Sequence, residues 1–243
     1  MGVALSLTGV GGFVDAVGYV ALFQIFTANM SGNSVHLGIY LGRLDFSDLM
    51  RPICALLAYV TGIVLTRIAI EVATRNGVRS MASFTLAGEA LLLVFFAQAR
   101  PAIHLGQIVD LHSPTYFALV ALLAFAMGVQ TATLTHIGPL TVYTTFVTGT
   151  LTKFADSFAH LLCWAYDHFR KFGRISDIVR LIPRQQDARD AAFLVSIWFC
   201  YLAGATFGIL TKRRWELRAL YLPVAALVVF VIVDQFRPIV TEN

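Results

Sequence analysis

One acid and two clusters of small polar residues, all set in apolar sequence, are where this chain could do chemistry. Asp15 stands about halfway along an apolar run, with Tyr19 one helical turn later. A carboxylate at such depth in a membrane is costly and faces the bundle interior or a wet cavity. It reads either as a proton or cation coupling group, or as a structural acid that fixes a broken helix, by capping or by binding Gln130 or Asn29. The clusters are Thr27-Ala28-Asn29-Met30-Ser31-Gly32-Asn33 and Thr144-Thr145-Phe146-Val147-Thr148-Gly149-Thr150. Hydroxyls and amides around a glycine are poor helix formers and costly in lipid, so each cluster marks a break in a spanning helix. A half-helix starting at such a break offers free N–H groups to an anion or a carbonyl oxygen. Asn29, Ser31, Gly32, Asn33, Thr144, Thr148, Gly149 and Thr150, with Gln130 nearby, are therefore the expected solute-binding set.

His36 and Lys153 lie four residues beyond Gly32 and Gly149, at matched positions. With Asp15 and Tyr19 they form the expected coupling set, attracting an anion or moving a proton. The alternative for His36 and Lys153 is that they snorkel to headgroups or water. Glu89, beside Gly88, reads either as a second titratable group in an asymmetric pathway or as a structural or interfacial acid, the latter favoured. Cys54, Cys163 and Cys200 lack metal-ligand spacing and act as small apolar side chains. No Walker loop, His-Glu-x-x-His, Gly-x-Ser-x-Gly or Cys-x-x-Cys occurs, so no cofactor, metal or enzymatic reaction is implied.

The elements that must position these residues follow from composition. The chain has 243 residues, 58% of them hydrophobic and 13% charged, with mean hydropathy +0.74. Soluble domains average about 25% charged residues, so this is an integral membrane protein forming a single transmembrane domain. Its net charge of +4 fits basic cytoplasmic loops rather than nucleic-acid binding, for which no basic-aromatic motif exists. A span needs about 20 apolar residues. Six all-α spans are expected, near 3–26, 52–70, 81–99, 115–136, 190–210 and 217–236. Shorter apolar pieces near 33–42 and 146–165 follow the first and fourth. The first segment has no basic lead or cleavage site and reads as a retained helix. Residues 166–190 are basic and read as a loop or an interfacial amphipathic helix. Lys and Arg on alternating loops place both termini in the cytoplasm.

The chain also repeats. At an offset of 116, Gly12 meets Gly128, Asp15 meets Thr131 and Ala16 meets Ala132. One residue further on, Thr27, Ser31, Gly32 and His36 meet Thr144, Thr148, Gly149 and Lys153. Tyr59-x-x-Gly62 then meets Tyr201-x-x-Gly204. Repeat one covers about 1–99 and repeat two about 115–236. Three spans per half would insert the halves in opposite senses, bringing the first and fourth helices, both broken, face to face near the midplane. Gly204-x-x-x-Gly208 permits close helix approach, within the chain or in a homodimer.

Gly12-Phe13-Val14-Asp15-Ala16-Val17-Gly18-Tyr19 followed by Phe26-Thr27-Ala28-Asn29-Met30-Ser31-Gly32-Asn33 resembles the signature of the YoaK family. Gly128-Val129-Gln130-Thr131-Ala132 and Thr144-Thr145-Phe146-Val147-Thr148-Gly149-Thr150-Leu151 resemble that family's second stretch. The resemblance spans essentially the whole chain. It implies a bacterial inner-membrane protein of six helices and supplies no reaction or substrate. The functional expectation is a transporter or channel for a small polar solute, an anion among the candidates, with proton coupling as one option. Its rivals are a membrane-embedded lipid-modifying enzyme and a non-transporting scaffold.

Overall fold

The computed structural model describes residues 2–77, 81–99, 110–137, 147–173 and 175–236, and no strand occurs among them. The helices are α1 (Gly2–Ala21), α2 (Met30–Gly42), α3 (Phe46–Arg75), α4 (Met81–Gln98), α5 (Pro114–Ile137), α6 (Val147–Phe172), α7 (Ile175–Leu181), α8 (Gln186–Trp215) and α9 (Tyr221–Phe236). Short 3-10 turns, Ile182–Arg184 and Glu216–Leu220, precede α8 and α9. Among the described residues, four helical stretches are long and apolar enough to cross a membrane: Gly2–Ala21, Phe46–Arg75, Pro114–Thr135 and Gln186–Phe236. The last holds both α8 and α9, and the apolar segment Ala82–Gln98 of α4 is shorter. At 1.5 Å per residue the 20 residues of α1 rise about 30 Å, the thickness of a hydrocarbon core.

Several expected boundaries move. The first helix ends at Ala21 rather than near 26, and α2 already begins at Met30. The break is therefore residues 22–29, while Ser31, Gly32 and Asn33 form the first turn of α2. Thr148, Gly149 and Thr150 likewise fall in the first turn of α6. The expected apolar piece at 146–165 is instead part of the 26-residue α6, an amphipathic helix that leaves Leu151, Phe158, Leu162, Tyr166 and Phe169 exposed. Its polar residues Lys153, Asp156, His160 and Asp167 hide inside a window that averages as apolar. The basic stretch 166–190 is helical nearly throughout, as the end of α6, all of α7 and the start of α8.

Local chemistry sets the ends. Asp45 caps α3 by accepting from the Asp48 amide, and the Ser47 hydroxyl with that amide holds its carboxyl below the usual carboxylate range. Gly77 and Gly173 follow α3 and α6 at φ +69° and +66°, a backbone region open to glycine at no steric cost.

The closest helix pairs are α1 with α8 and α3 with α5; α4 packs on α9 and α5, α2 on α3, and α6 on α8. Glycine makes the two tightest crossings possible. A Cβ on Gly12 would collide with the Tyr201 carbonyl, and one on Gly204 with the Gly9 carbonyl. A Cβ on Gly128 would strike the Tyr59 carbonyl, and one on Gly62 the Phe125 carbonyl. The Gly204-x-x-x-Gly208 stripe thus packs inside the chain, against Gly9 and Phe13 of α1. The core, with Leu7, Val14, Leu86, Leu93, Leu123, Met127 and Leu227 fully buried, lies among α1, α4, α5 and α9. Outward faces carry exposed Leu57, Val64, Ile68, Phe199, Phe207 and Leu210, as lipid-facing helices do.

Candidate functional site

The break between α1 and α2 is held by side chains from four helices. Phe23 and Gln24 have φ of +50° and +69°, a left-handed pair that branched or bulky residues rarely adopt. Such a conformation persists only where surrounding contacts over-determine it. Here the Tyr116 hydroxyl of α5 donates to the Leu22 carbonyl at 2.9 Å. Arg51 of α3 donates from Nη2 to the Phe23 carbonyl at 2.6 Å and from Nε to the Tyr116 oxygen at 3.2 Å. Its Nη1 also lies 3.4 Å from Asp48 Oδ1, and His112 Nε2 approaches the same oxygen at 3.4 Å.

Asp15 holds the other side of the break. Its Oδ1 accepts from the Thr27 amide at 2.8 Å, the Thr27 hydroxyl at 3.1 Å and the Ala28 amide at 2.8 Å. Its Oδ2 accepts from the Tyr201 hydroxyl of α8 at 2.7 Å. The carboxylate thus plays the part of a helix cap across 12 residues of sequence, satisfying amides that no helix pairs. Of the two readings of Asp15, the geometry displays the capping one, although through Thr27, Ala28 and Tyr201 rather than Gln130 or Asn29.

The amides expected to face a solute are consumed in the same way. Asn33, fully buried, accepts from the Phe26 amide at 3.1 Å and donates to the Phe26 carbonyl at 2.8 Å, copying a backbone pair. Asn29 caps α2, accepting from the Gly32 amide at 3.2 Å and the Ser31 hydroxyl at 2.8 Å. The free N–H groups expected at this half-helix start are therefore partly covered by the chain itself, because Asn is a preferred capping residue. Thr148 and Gly149 are exposed and Thr150 is buried at the start of α6. Thr144 lies outside the described residues.

Tyr19, Phe26, His36 and Tyr40 form an aromatic ladder, with successive ring centroids 4.4, 6.1 and 6.5 Å apart. The structure thus brings Tyr19 and His36 together through Phe26, and leaves His36 Nδ1 buried without a hydrogen-bond partner. Lys153 is exposed on α6. Asp15 is bonded to Thr27, Ala28 and Tyr201, and the Glu89 oxygens to no donor, so the described residues do not join these two acids in one constellation.

A second polar region lies in the core. Gln130 donates from Nε2 to the Leu7 carbonyl at 3.1 Å, while its Oε1 and both carboxylate oxygens of Glu89 are buried with no partner. Nearby hydroxyls are satisfied by their own helices, as Thr8 on Ala4 and Thr133 on Val129. Tyr59 places its hydroxyl 2.9 Å from Thr131 Oγ1. A cavity of about 760 Å³ between α3 and α5 is lined by Met50, Cys54, Leu57, Phe117, Leu122 and Phe125 among others; so apolar a lining suits hydrocarbon rather than a polar solute.

Sequence reasoning misses Arg51 and Tyr116 as members of the site. Arg51 sits at the mouth of an apolar run, where a basic residue reads as a topological signal. The Arg51-Pro52 pair misleads further, since proline favours a first helical turn and would place Arg51 before the helix, whereas α3 already begins at Phe46.

An all-helical fold, with apolar helices of spanning length and an internally satisfied break, defines a multi-pass transmembrane protein. The chain belongs to the family described as Protein of unknown function (DUF1275), whose model matches residues 3–233. It is similar to the UPF0700 transmembrane protein YoaK of Bacillus subtilis (strain 168), 29% identical over 150 residues. That match covers 60% of this chain and 61% of the relative, and it agrees with the YoaK resemblance. No solved structure matches the chain.

Proposed function

We propose that the protein is a transporter for a small polar solute, built from two inverted three-helix repeats with the first break as a hinge. The observation that carries this reading is a set of contacts that survives exchange of the halves. Exchanging α1 with α5, α3 with α8, α4 with α9 and α2 with α6 turns the α1–α8 crossing into the α5–α3 crossing. Gly12 on the Tyr201 carbonyl becomes Gly128 on the Tyr59 carbonyl, and Gly204 on Gly9 becomes Gly62 on Phe125. The Tyr201–Asp15 hydrogen bond becomes Tyr59–Thr131. Arg51 and Tyr116, at the starts of α3 and α5, reach the end of α1. The equivalent helices α1 and α5 therefore run in opposite directions, as inversion requires.

In this reading Asp15 is a clasp that positions the break, and the left-handed pair Phe23–Gln24 is where a rocking motion would concentrate its backbone change. The solute path lies at the junction of the halves, among α1, α4, α5 and α9, where Gln130 and Glu89 retain unfilled acceptors. One observation favours a second reading, a non-transporting scaffold: the polar groups of the first break are matched within the chain. The test is thermal-shift screening of the purified protein against small amines, amides, anions and nucleobases, followed by uptake of each hit into proteoliposomes. A ligand at 100 times its Kd stabilises by about 2.7 kcal/mol, so a raised melting temperature and saturable uptake are expected. Silence in both assays leaves the scaffold.

A further inference from the structure

Among the described residues, Glu89 is the one buried acid whose carboxylate oxygens have no hydrogen-bond partner. The other two are occupied: Asp15 by Thr27, Ala28 and Tyr201, and Asp234 by the amide and hydroxyl of Ser83. Glu89 is fully buried, and neither of its oxygens has a hydrogen bond. Among the described side chains, the helices around it offer no counter-charge. On α9 the ionisable groups are Tyr221 and Asp234, the latter held by Ser83 near the far end. The turn before α9 brings Glu216 and an exposed Arg218. On α5, Tyr116 is engaged with Arg51, and His136 sits in the last turn. On α3, Arg51 is turned to the break, Arg67 to Thr135, and Glu71 to Arg75, while Tyr59 meets Thr131.

Gln130 supplies a second, independent observation. It too is fully buried, and its Oε1 lacks a donor although its Nε2 is bonded. The two residues lie in the same half of the bundle. The N-terminal end of α4 and the C-terminal end of α5 lie on the same side, since Arg67, toward the end of α3, bonds Thr135 and α3 leads directly into α4. Glu89 is eight residues from Met81 and Gln130 seven from Ile137, or about 12 and about 10 Å along their helices. Two helices that pack together thus present three unpaired acceptor oxygens in the same half of the core. A carboxylate ion left bare in such a place costs several kcal/mol. One carboxylate and one amide oxygen are also too few to dehydrate a metal ion, which takes about six or more oxygens for calcium. The species that fits is a proton.

We propose that Glu89 is a proton-binding site, alternately loaded and emptied, with Gln130 Oε1 as the acceptor that keeps the site polar. Loading forms one O–H bond on a carboxylate oxygen and transfers no electrons. As the coupling ion of the transport reading the proton rests on that reading, but its binding can be measured without transport.

The experiment is infrared difference spectroscopy of the full chain in nanodiscs, stepped between about pH 5 and about pH 9, a range that covers documented buried glutamates. The wild-type protein is expected to show a protonated-carboxyl carbonyl band that changes with pH and is absent from Glu89→Gln. The same band in Glu89→Gln, or no pH-dependent carboxyl band in the wild type, overturns the proposal. The wild-type titration decides even if the variant does not fold. A titrating Glu89 in a protein that moves no solute would sink the transport reading and leave the proton site standing.

Discussion

At the scale of single residues, Asp15 and Glu89 show how one side-chain type serves opposite ends in the same bilayer. Asp15 accepts four hydrogen bonds, two from backbone amides that no helix pairs and two from the Thr27 and Tyr201 hydroxyls. Glu89 accepts none. Hydrogen bonds to charged groups are worth about 1.5–3 kcal/mol each, and orphaned buried donors carry their own penalty. Asp15→Ala strips acceptors from two amides and two hydroxyls, and a loss of about 3–5 kcal/mol is expected. Asp15→Asn keeps an oxygen for the Thr27 and Ala28 amides and lets Tyr201 turn its hydroxyl, so it should fold with a clearly smaller loss. Melting of the two variants in detergent checks this ranking, and equal losses would count against the clasp. Asp15 stands out in the sequence because an acid in an apolar run is conspicuous. Its main partner does not, because Tyr201 lies 186 residues away and nothing local announces the pairing.

At the scale of elements, backbone proximity at glycine decides which helices cross. Gly12 and Gly128 each lie against a tyrosine carbonyl from the other half of the chain, whereas Gly88 on α4 has open space where a Cβ would go. Gly12→Ala and Gly128→Ala should each lose about 1–3 kcal/mol through overpacking. Gly88→Ala should be neutral or gain about 0.5–1 kcal/mol from helix propensity. Thermal melts of the three variants test the contrast, and a loss at Gly88 as large as at Gly12 would remove the close-approach argument. The crossing glycines are legible in the sequence as a repeat, since Tyr59-x-x-Gly62 and Tyr201-x-x-Gly204 match. The helix ends are less so. Leu22–Ile25 reads as a continuation of α1 because its residues are mostly apolar, and only tertiary bonds from Asp15, Tyr116 and Arg51 turn the chain there. The polar stripe of α6 escapes notice for the converse reason. Periodicity at 3.6 residues spreads Lys153, Asp156, His160 and Asp167 thinly enough to resemble an apolar span.

At the scale of the whole molecule, contacts among the described residues sort the helix ends into two groups. Asp48 and His112 approach within 3.4 Å, so the start of α3 and the start of α5 share one membrane face. Arg67 on Thr135 and Gln130 on the Leu7 carbonyl tie the end of α3, the end of α5 and the start of α1 to the opposite face. The segment α6–α7, entered from α5 and left through α8, belongs to that second face as well. That face carries Arg170, Lys171 and Arg180 on α6 and α7, Arg184 in the turn after them and Arg189 in the first turns of α8, which the positive-inside rule assigns to the cytoplasm. Single cysteines placed in a background lacking Cys54, Cys163 and Cys200 can read this directly. Ser47→Cys and Asp110→Cys should both react with an impermeant maleimide added to intact cells. Asn76→Cys and Ser176→Cys should react only after permeabilisation. All four positions are exposed, so a missing reaction reports sidedness rather than burial. A fully reversed pattern would overturn the orientation and leave the architecture intact. Labelling of Ser47→Cys and Asp110→Cys from different faces would break the inverted arrangement, because α1 and α5 could then no longer run in opposite directions.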